Sequence, residues 1–256
     1  MLCRIAYVWG YPPAVPPWTF PLRSSGAAPA SIHSSHCSTP CPPNLSSTGY
    51  FDVISPFSYF QHERLNEVEA VADVRRVPVL FAGLLQHWGQ LGPAEIAPKR
   101  RFTFRYAVWY ADRMGIPFRL PPGHPFNPIR LLRLMVAFDG RADVVSRVFR
   151  FVWAEGRTSD DPEAWRALCT ELGVADGDEF IGRQTVKDGL RMNGERALSR
   201  NVFGVPTFVA PDGESFWGVD ATDMLLDHLS GAPVMGSAEM ARVDALPVAK
   251  SRLTPG

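Results

Sequence analysis

The chain has 256 residues, enough for one large domain or two small ones. Its 26 basic and 26 acidic side chains balance. This balance argues against a dedicated binder of nucleic acid or of an anionic membrane, either of which needs a basic excess. No run of 18 or more apolar residues occurs, so the sequence predicts no membrane-spanning helix.

Residues 1–48 differ in composition from the rest of the chain. They contain no Asp or Glu, nine of the 24 prolines and three of the four cysteines. A Pro/Ser-rich stretch without helical or strand periodicity rarely forms a packed core, so we expect a disordered leader, with a wrongly chosen start codon or a transit peptide as the alternatives. His33, His36, Cys37 and Cys41 lie there at short spacing. We interpret them as chance in a biased segment rather than a zinc site, and expect no metal.

The first elements after the leader predict a βαβ unit. Residues 49–54 are rich in β-branched and aromatic side chains, which is typical of a strand. Ser55 and Pro56 supply an N-cap and a first-turn proline for a helix that we expect to end near residue 72. A second strand is predicted over 77–81. A strand, a helix and a strand of this length predict parallel pairing.

The middle of the chain is predicted to be helical, and the end returns to strands. Helical periodicity and capping signals favour helices over 98–114, 128–138, 141–154, 161–172 and 184–199. Two short strands and a closing helix follow, over 205–210, 214–218 and 220–229. This order predicts an α/β domain over 49–231, with a helical insertion at about 91–200 and a C-terminal tail over 232–256.

Two local signals indicate chemistry at the ends of these elements. Ser55 opens a helix, where unpaired N–H groups and the helix dipole stabilise an anion such as a thiolate. Pro206 opens a strand, which requires an edge, a bend or a cis bond. A cis bond there would leave the N–H and C=O of Val205 free for an extended peptide ligand. An ordinary N-cap and an ordinary edge-strand proline are the alternatives.

Together, three segments resemble the 2-hydroxychromene-2-carboxylate isomerase family, which is thioredoxin-like and related to DsbA and to kappa-class glutathione transferases. The matching segments are Tyr-Phe-Asp-Val-Ile-Ser-Pro-Phe-Ser-Tyr at 50–59, Val-Phe-Gly-Val-Pro-Thr-Phe at 202–208 and Phe-Trp-Gly-Val-Asp at 216–220. The resemblance implies a thioredoxin-like fold with a large helical insertion. Ser55 and Ser58 stand where redox members carry cysteines, so thiol–disulfide exchange by this chain alone is excluded.

The resemblance also implies roles for individual residues. Ser55 would be the catalytic serine, with its hydroxyl donating to the sulfur of glutathione, and Val205, before the cis-proline Pro206, would pair through its backbone with the cysteinyl residue. Lys99 would lie near the substrate carboxylate, with a solvated lysine as the alternative. The γ-glutamyl end would be held by Trp217, Gly218, Val219 and Asp220. Core packing of Trp217 and an N-cap role for Asp220 are the alternatives.

The activity that follows from the resemblance is a glutathione-dependent isomerisation. Addition of the glutathione thiolate to a conjugated carbon would allow cis/trans rotation of an aromatic α-keto acid intermediate. A kappa-like glutathione transferase and a non-catalytic, thioredoxin-like peptide-binding protein are the alternatives. We expect a cytoplasmic protein with a small aromatic substrate and no nucleic-acid or membrane partner. The sequence does not decide between a monomer and a homodimer. Glu95 stands where family members place an asparagine that touches glutathione.

Overall fold

A four-stranded mixed sheet forms the centre of the computed structural model, which describes residues 46–247. The strands are β1 (Ser46–Phe51), β2 (Asp73–Pro78), β3 (Thr207–Val209) and β4 (Ser215–Trp217). Their order is β2-β1-β3-β4. Strand β1 pairs in parallel with β2 and antiparallel with β3, and β3 pairs antiparallel with β4. Strand β1 is therefore an inner strand, with a hydrogen-bonded neighbour on each side.

Eleven α-helices within residues 46–247 surround this sheet. They are α1 (Pro56–Glu63), α2 (Leu65–Glu69), α3 (Phe81–Trp88), α4 (Ala97–Met114), α5 (Ile129–Ala137), α6 (Ala142–Trp153), α7 (Pro162–Glu171), α8 (Gly177–Gly182), α9 (Gln184–Ser199), α10 (Thr222–Ser230) and α11 (Ala238–Asp244). Single 3₁₀ turns cover Pro93–Glu95, Val219–Ala221 and Pro233–Gly236. None of these helices is long and apolar enough to cross a bilayer.

The start of the domain differs from the sequence prediction. Strand β1 begins at Ser46, so the predicted boundary at residue 49 falls inside a strand. Ser47 is fully buried and pairs with Val74 of β2. The rest of the predicted leader, including the His33–Cys41 cluster, lies outside the described residues.

Two further elements differ from the prediction. The first helix ends at Glu63 and resumes as α2, because Arg64 leaves the helical conformation with φ −99° and ψ 3°. The strand predicted over 77–81 instead spans Asp73–Pro78, and Phe81 begins α3. In the predicted tail, 232–247 form a 3₁₀ turn and α11.

The largest apolar core joins the helical insertion to one face of the sheet. Phe51 at the end of β1 meets Phe149 of α6 with ring centroids 5.3 Å apart, and Tyr59 of α1 meets the same ring at 6.2 Å. Tyr50, the neighbour of Phe51, points to the other face and packs with Val205, because successive strand side chains alternate. The segment after β1 therefore lies between two packed layers.

Candidate functional site

Ser55 is the N-cap of α1 and follows directly from the end of β1. Its backbone is extended, with φ −93° and ψ 119°, and Pro56 occupies the first helical turn. The Ser55 Oγ accepts a hydrogen bond from the Ser58 N–H at 3.3 Å. This arrangement is the one that the Ser-Pro pair predicts, because proline has no N–H to leave unpaired at that position.

Capping leaves the Ser55 hydroxyl with a free proton. A serine hydroxyl has one O–H donor and two acceptor lone pairs. One lone pair takes the Ser58 N–H, and within residues 46–247 no acceptor takes the Ser55 O–H. Ser55 as a whole is 9 % exposed. Ser55 can therefore cap the helix and donate to an anion at the same time, so the two interpretations of this residue are compatible.

The chain enters β3 through a cis-proline loop. The Val205–Pro206 peptide bond is cis. The loop is fixed from both sides, since Thr207 Oγ1 donates to the Gly204 carbonyl at 2.8 Å and Gly218 N–H donates to the Pro206 carbonyl at 2.9 Å. In the described part of the chain no hydrogen bond takes the Val205 N–H or C=O. The backbone of Val205 therefore offers one donor and one acceptor to an extended ligand.

The end of β4 lies directly against this loop. Trp217 is 55 % exposed, and a Cβ on Gly204 would stand 2.5 Å from its Nε1. Glycine at 204 therefore lets the tryptophan approach the loop, and the exposure excludes simple core packing of Trp217. The ring of Phe203 lies 5.2 Å from the Trp217 ring, edge to face.

Gly218 and Asp220 form the turn that follows β4. Gly218 adopts φ +95°, a conformation that favours glycine. Asp220 is exposed, and no hydrogen bond within residues 46–247 takes its carboxylate. Neither the 3₁₀ turn at Val219–Ala221 nor α10 has a side-chain cap. The interpretation of Asp220 as a helix cap is therefore wrong, and its carboxylate is open to a cationic group.

The helix start and the cis-proline loop meet in the interior. Ser58 and Gln61 of α1 line a cavity of about 30 Å³ together with Pro206 and Thr207. The Thr222 Oγ1 lies 3.1 Å from Gln61 Oε1, which ties α10 to the same helix. The structure thus brings α1, the cis-proline loop and the 217–220 turn into one region, although α1 lies about 150 residues before the other two segments in the sequence.

Known proteins that are similar in sequence and fold identify the family of this chain. The DSBA-like thioredoxin domain family matches residues 48–230. A 2-hydroxychromene-2-carboxylate isomerase of Pseudomonas sp. (strain C18) is 30 % identical over 197 residues, covering 73 % of this chain and 91 % of the relative. Glutathione s-transferase kappa 2 of Caenorhabditis elegans is 29 % identical over 202 residues, covering 71 % and 90 %. A solved structure of a 2-hydroxychromene-2-carboxylate isomerase has a TM-score of 0.64 at 25 % identity, covering 76 % of this chain and 98 % of that chain.

The chain belongs to the 2-hydroxychromene-2-carboxylate isomerase family of DsbA-like thioredoxin proteins. The fold predicted from the sequence, a thioredoxin-like domain with a large helical insertion, is confirmed.

Asp52 is a feature of this isomerase-family site that the sequence interpretation missed. Its carboxylate is fully buried and accepts hydrogen bonds from Ile54 N–H at 3.0 Å and from Phe81 N–H at 2.8 Å. It therefore links the turn before Ser55 to the start of α3. Burial raises the pKa of Asp52 to about 7, and the two N–H donors oppose that rise. The sequence did carry a signal for this residue, namely an acidic side chain directly after an apolar strand.

Two further positions from the sequence analysis lie just before and at the start of α4. Lys99 is exposed in the first turn of α4, and no hydrogen bond or ion pair within 46–247 takes its ammonium. Its role near a substrate carboxylate stays a prediction. Glu95 turns its carboxylate onto the Gly92 N–H. This side chain therefore closes its own turn.

Cys169 does not supply thiol chemistry in the described part of the chain. It is the free cysteine among residues 46–247 and is 3 % exposed in the insertion core. Burial raises its pKa to about 11, so the thiol is protonated at neutral pH. Within residues 46–247, no cysteine of the chain can therefore supply a thiolate at Ser55.

Proposed function

We propose that the protein is a glutathione-dependent isomerase of the 2-hydroxychromene-2-carboxylate type. The observation that carries the proposal is the free Ser55 O–H at the start of α1, a helix that lines one cavity together with the cis-proline Pro206. A relative named as such an isomerase is 30 % identical over nearly its whole length.

The open groups would match three groups of glutathione, namely the thiol, the cysteinyl backbone and the α-ammonium. Ser55 would donate to the sulfur, the Val205 N–H and C=O would pair with the cysteinyl backbone, and the Asp220 carboxylate would face the α-ammonium of the γ-glutamyl end. Trp217 and Gly218 would form the surface under that end, and Val219 its buried support at 5 % exposure. The Ser55 proton, the Val205 N–H and C=O and the Asp220 carboxylate have no hydrogen-bond partner within residues 46–247, so they are available to a ligand.

Glutathione supplies a thiol that can add to a conjugated carbon and leave again after bond rotation. A free thiol has a pKa of about 8.5, so few thiolates exist at pH 7. The N-terminus of α1 carries about half a positive charge, and the Ser55 hydroxyl adds a preorganised donor beside it. Each unit by which these groups lower the thiol pKa corresponds to about 1.4 kcal/mol.

A group of aromatic side chains near Ser55 favours an aromatic substrate. Phe57, two residues after the serine, lies 6.0 Å from the Tyr106 ring of α4. Tyr106 continues to Phe102 at 6.1 Å and to Trp109 at 5.5 Å, and the last two rings are 67 % and 55 % exposed. This face would contact the rings of a substrate, and Lys99 in the first turn of α4 would hold its carboxylate.

The decisive experiment compares glutathione with its analogue in which 2-aminobutyrate replaces cysteine. Both ligands should bind in calorimetry, because the backbone and ammonium contacts do not use sulfur. Only glutathione should support isomerisation of 2-hydroxychromene-2-carboxylate, followed by absorbance. Failure of glutathione to bind, or isomerisation that proceeds equally with the analogue, would refute the proposal.

A kappa-like glutathione transferase is the second candidate, since the Caenorhabditis elegans relative carries that name. The same preparation should be assayed with 1-chloro-2,4-dinitrobenzene, an electrophile that conjugates glutathione. Conjugation without isomerisation would favour the transferase. Binding of unfolded peptide without either reaction would favour a non-catalytic peptide-binding protein that uses the cis-proline loop.

A further inference from the structure

The turn before Ser55 is held by two side chains that come from the helical insertion. Residues Asp52 to Ser55 form a tight turn, closed by the Ser55 N–H donating to the Asp52 carbonyl at 3.1 Å. The Trp153 Nε1–H donates to the Val53 carbonyl at 2.8 Å, and both residues are fully buried. This donor lies 100 residues along the chain from its acceptor.

His124 holds the next carbonyl of the same turn. Its Nε2 lies 2.8 Å from the Ile54 oxygen. A carbonyl oxygen only accepts, so Nε2 carries the proton. The Nδ1 atom is buried without a partner in residues 46–247. Burial lowers the pKa of His124, which agrees with a neutral ring protonated on Nε2.

Both donors are fixed by aromatic packing. The Trp153 ring stacks on Phe118 at 5.7 Å with an interplanar angle of 4°. The His124 ring meets Phe104 edge to face at 5.0 Å and lies 5.9 Å from Trp153. Donors that are held this firmly can impose a geometry on their acceptors, as a supporting layer around a functional group must.

The two carbonyls belong to the residues that come directly before Ser55. Their orientation sets the peptide planes of the turn, and those planes set the direction of the Ser55 side chain and of the first α1 amides. Neither His124 nor Trp153 is among the residues with open groups for glutathione. Loss of either donor should therefore displace the serine, while every residue that would contact glutathione is still present.

We propose that Trp153 and His124 are positioning residues for Ser55, so that the insertion controls turnover through the geometry of this turn. The inference rests on the proposed function for its kinetic part. Its structural part, the dependence of the turn on the two donors, can be measured without glutathione.

The test uses matched variants of the full chain. Trp153→Phe removes one buried N–H and keeps an aromatic ring, and Trp165→Phe makes the same change at a buried tryptophan of α7, 5 % exposed. His124→Leu removes the other donor. His124→Gln restores a nitrogen at the position of Nε2 and should rescue the function. Circular dichroism checks that each variant folds. If one donor variant does not fold, the variant of the other donor still tests the proposal.

Amide hydrogen exchange without ligand is the first measurement. Exchange at the Ser55 and Ser58 amides should accelerate by about 10-fold or more in Trp153→Phe and His124→Leu, because the turn opens more often. With glutathione bound, turnover should fall by about 10- to 100-fold, the scale of a small misplacement of a reacting group. The dissociation constant of glutathione should change by less than about 3-fold. Trp165→Phe should leave all three values unchanged.

Three outcomes decide between the alternatives. Unchanged exchange and turnover in both donor variants would overturn the positioning role. Equal losses in Trp165→Phe would also overturn it, because they would reflect general weakening of the core. If the wild-type protein does not bind glutathione, the proposed function is wrong, and the exchange at Ser55 and Ser58 alone then decides whether the two side chains hold the turn.

Discussion

Asp220 turns its carboxylate back over Gly218, so that a Cβ on the glycine would stand 2.4 Å from the Asp220 Oδ1. This contact, together with the positive φ of Gly218, explains why glycine occupies that position. The same glycine lies next to the cis-proline loop, since its N–H donates to the Pro206 carbonyl.

Asp220→Asn should weaken glutathione binding by about 1–3 kcal/mol, because the variant removes the charge that would pair with the α-ammonium. Calorimetry measures the change directly. Asp227→Asn is the matched control, since it removes an exposed carboxylate from α10 and should leave the affinity unchanged. Equal affinities in the wild type and Asp220→Asn would exclude this residue from the ligand site.

Truncation at two neighbouring positions tests where the domain begins. Removal of residues 1–45 should change the melting temperature by no more than a few degrees, because the composition of that stretch predicts little apolar burial. Removal of 1–48 also deletes Ser46–Thr48, which pair with β2, and should lower the melting temperature further. Differential scanning fluorimetry on the two proteins measures the difference. A large drop in melting temperature after removal of residues 1–45 alone would show that the leader packs on the domain.

Local patterns predicted most of the elements, but not the contacts that hold the site. The helix predicted over 98–114 is α4 (Ala97–Met114), since capping and periodicity are visible within a few residues. Helix α3 was missed because its apolar run follows β2 without a break in hydrophobicity. The donors of His124 and Trp153 lie 70 and 100 residues from their acceptors. No local pattern carries that information.

The buried carboxyl of Asp52 should make stability depend on pH. Its pKa is about 7 in the folded protein and about 3.9 in an unfolded chain. The folded state therefore binds the proton more tightly between these values. The stability associated with this group is greatest below about pH 4 and falls as the pH rises towards 7, by on the order of 4 kcal/mol in total.

Carbon NMR of the Asp52 carboxyl checks the pKa itself. Chemical denaturation at several pH values then compares the wild type with Asp52→Asn, which cannot ionise and offers one acceptor oxygen to the two N–H groups of Ile54 and Phe81. The difference in unfolding free energy should shrink as the pH rises from 5 to 8, because only the wild type loses stability through this titration. A measured pKa below 4 would contradict the prediction.

Ser55→Ala should separate capping from catalysis. The loss of the cap alone should cost about 1 kcal/mol of stability. If the hydroxyl also activates the thiol, turnover at saturating substrate and glutathione should fall by about 10²- to 10³-fold, the effect of losing one preorganised donor. The activity–pH profile should shift upward, because the bound thiol would ionise at a higher pH.

Three further variants control the Ser55 measurement. Ser55→Thr keeps both the cap and the hydroxyl and should retain turnover, whereas Ser55→Gly nearly keeps the cap, lacks the hydroxyl and should lose it. Ser58→Ala removes a buried hydroxyl that has no partner within 46–247, while its backbone N–H still bonds to Ser55, so activity should be close to wild type. Near-normal turnover in Ser55→Ala, measured well below its melting temperature, would reduce Ser55 to a helix cap.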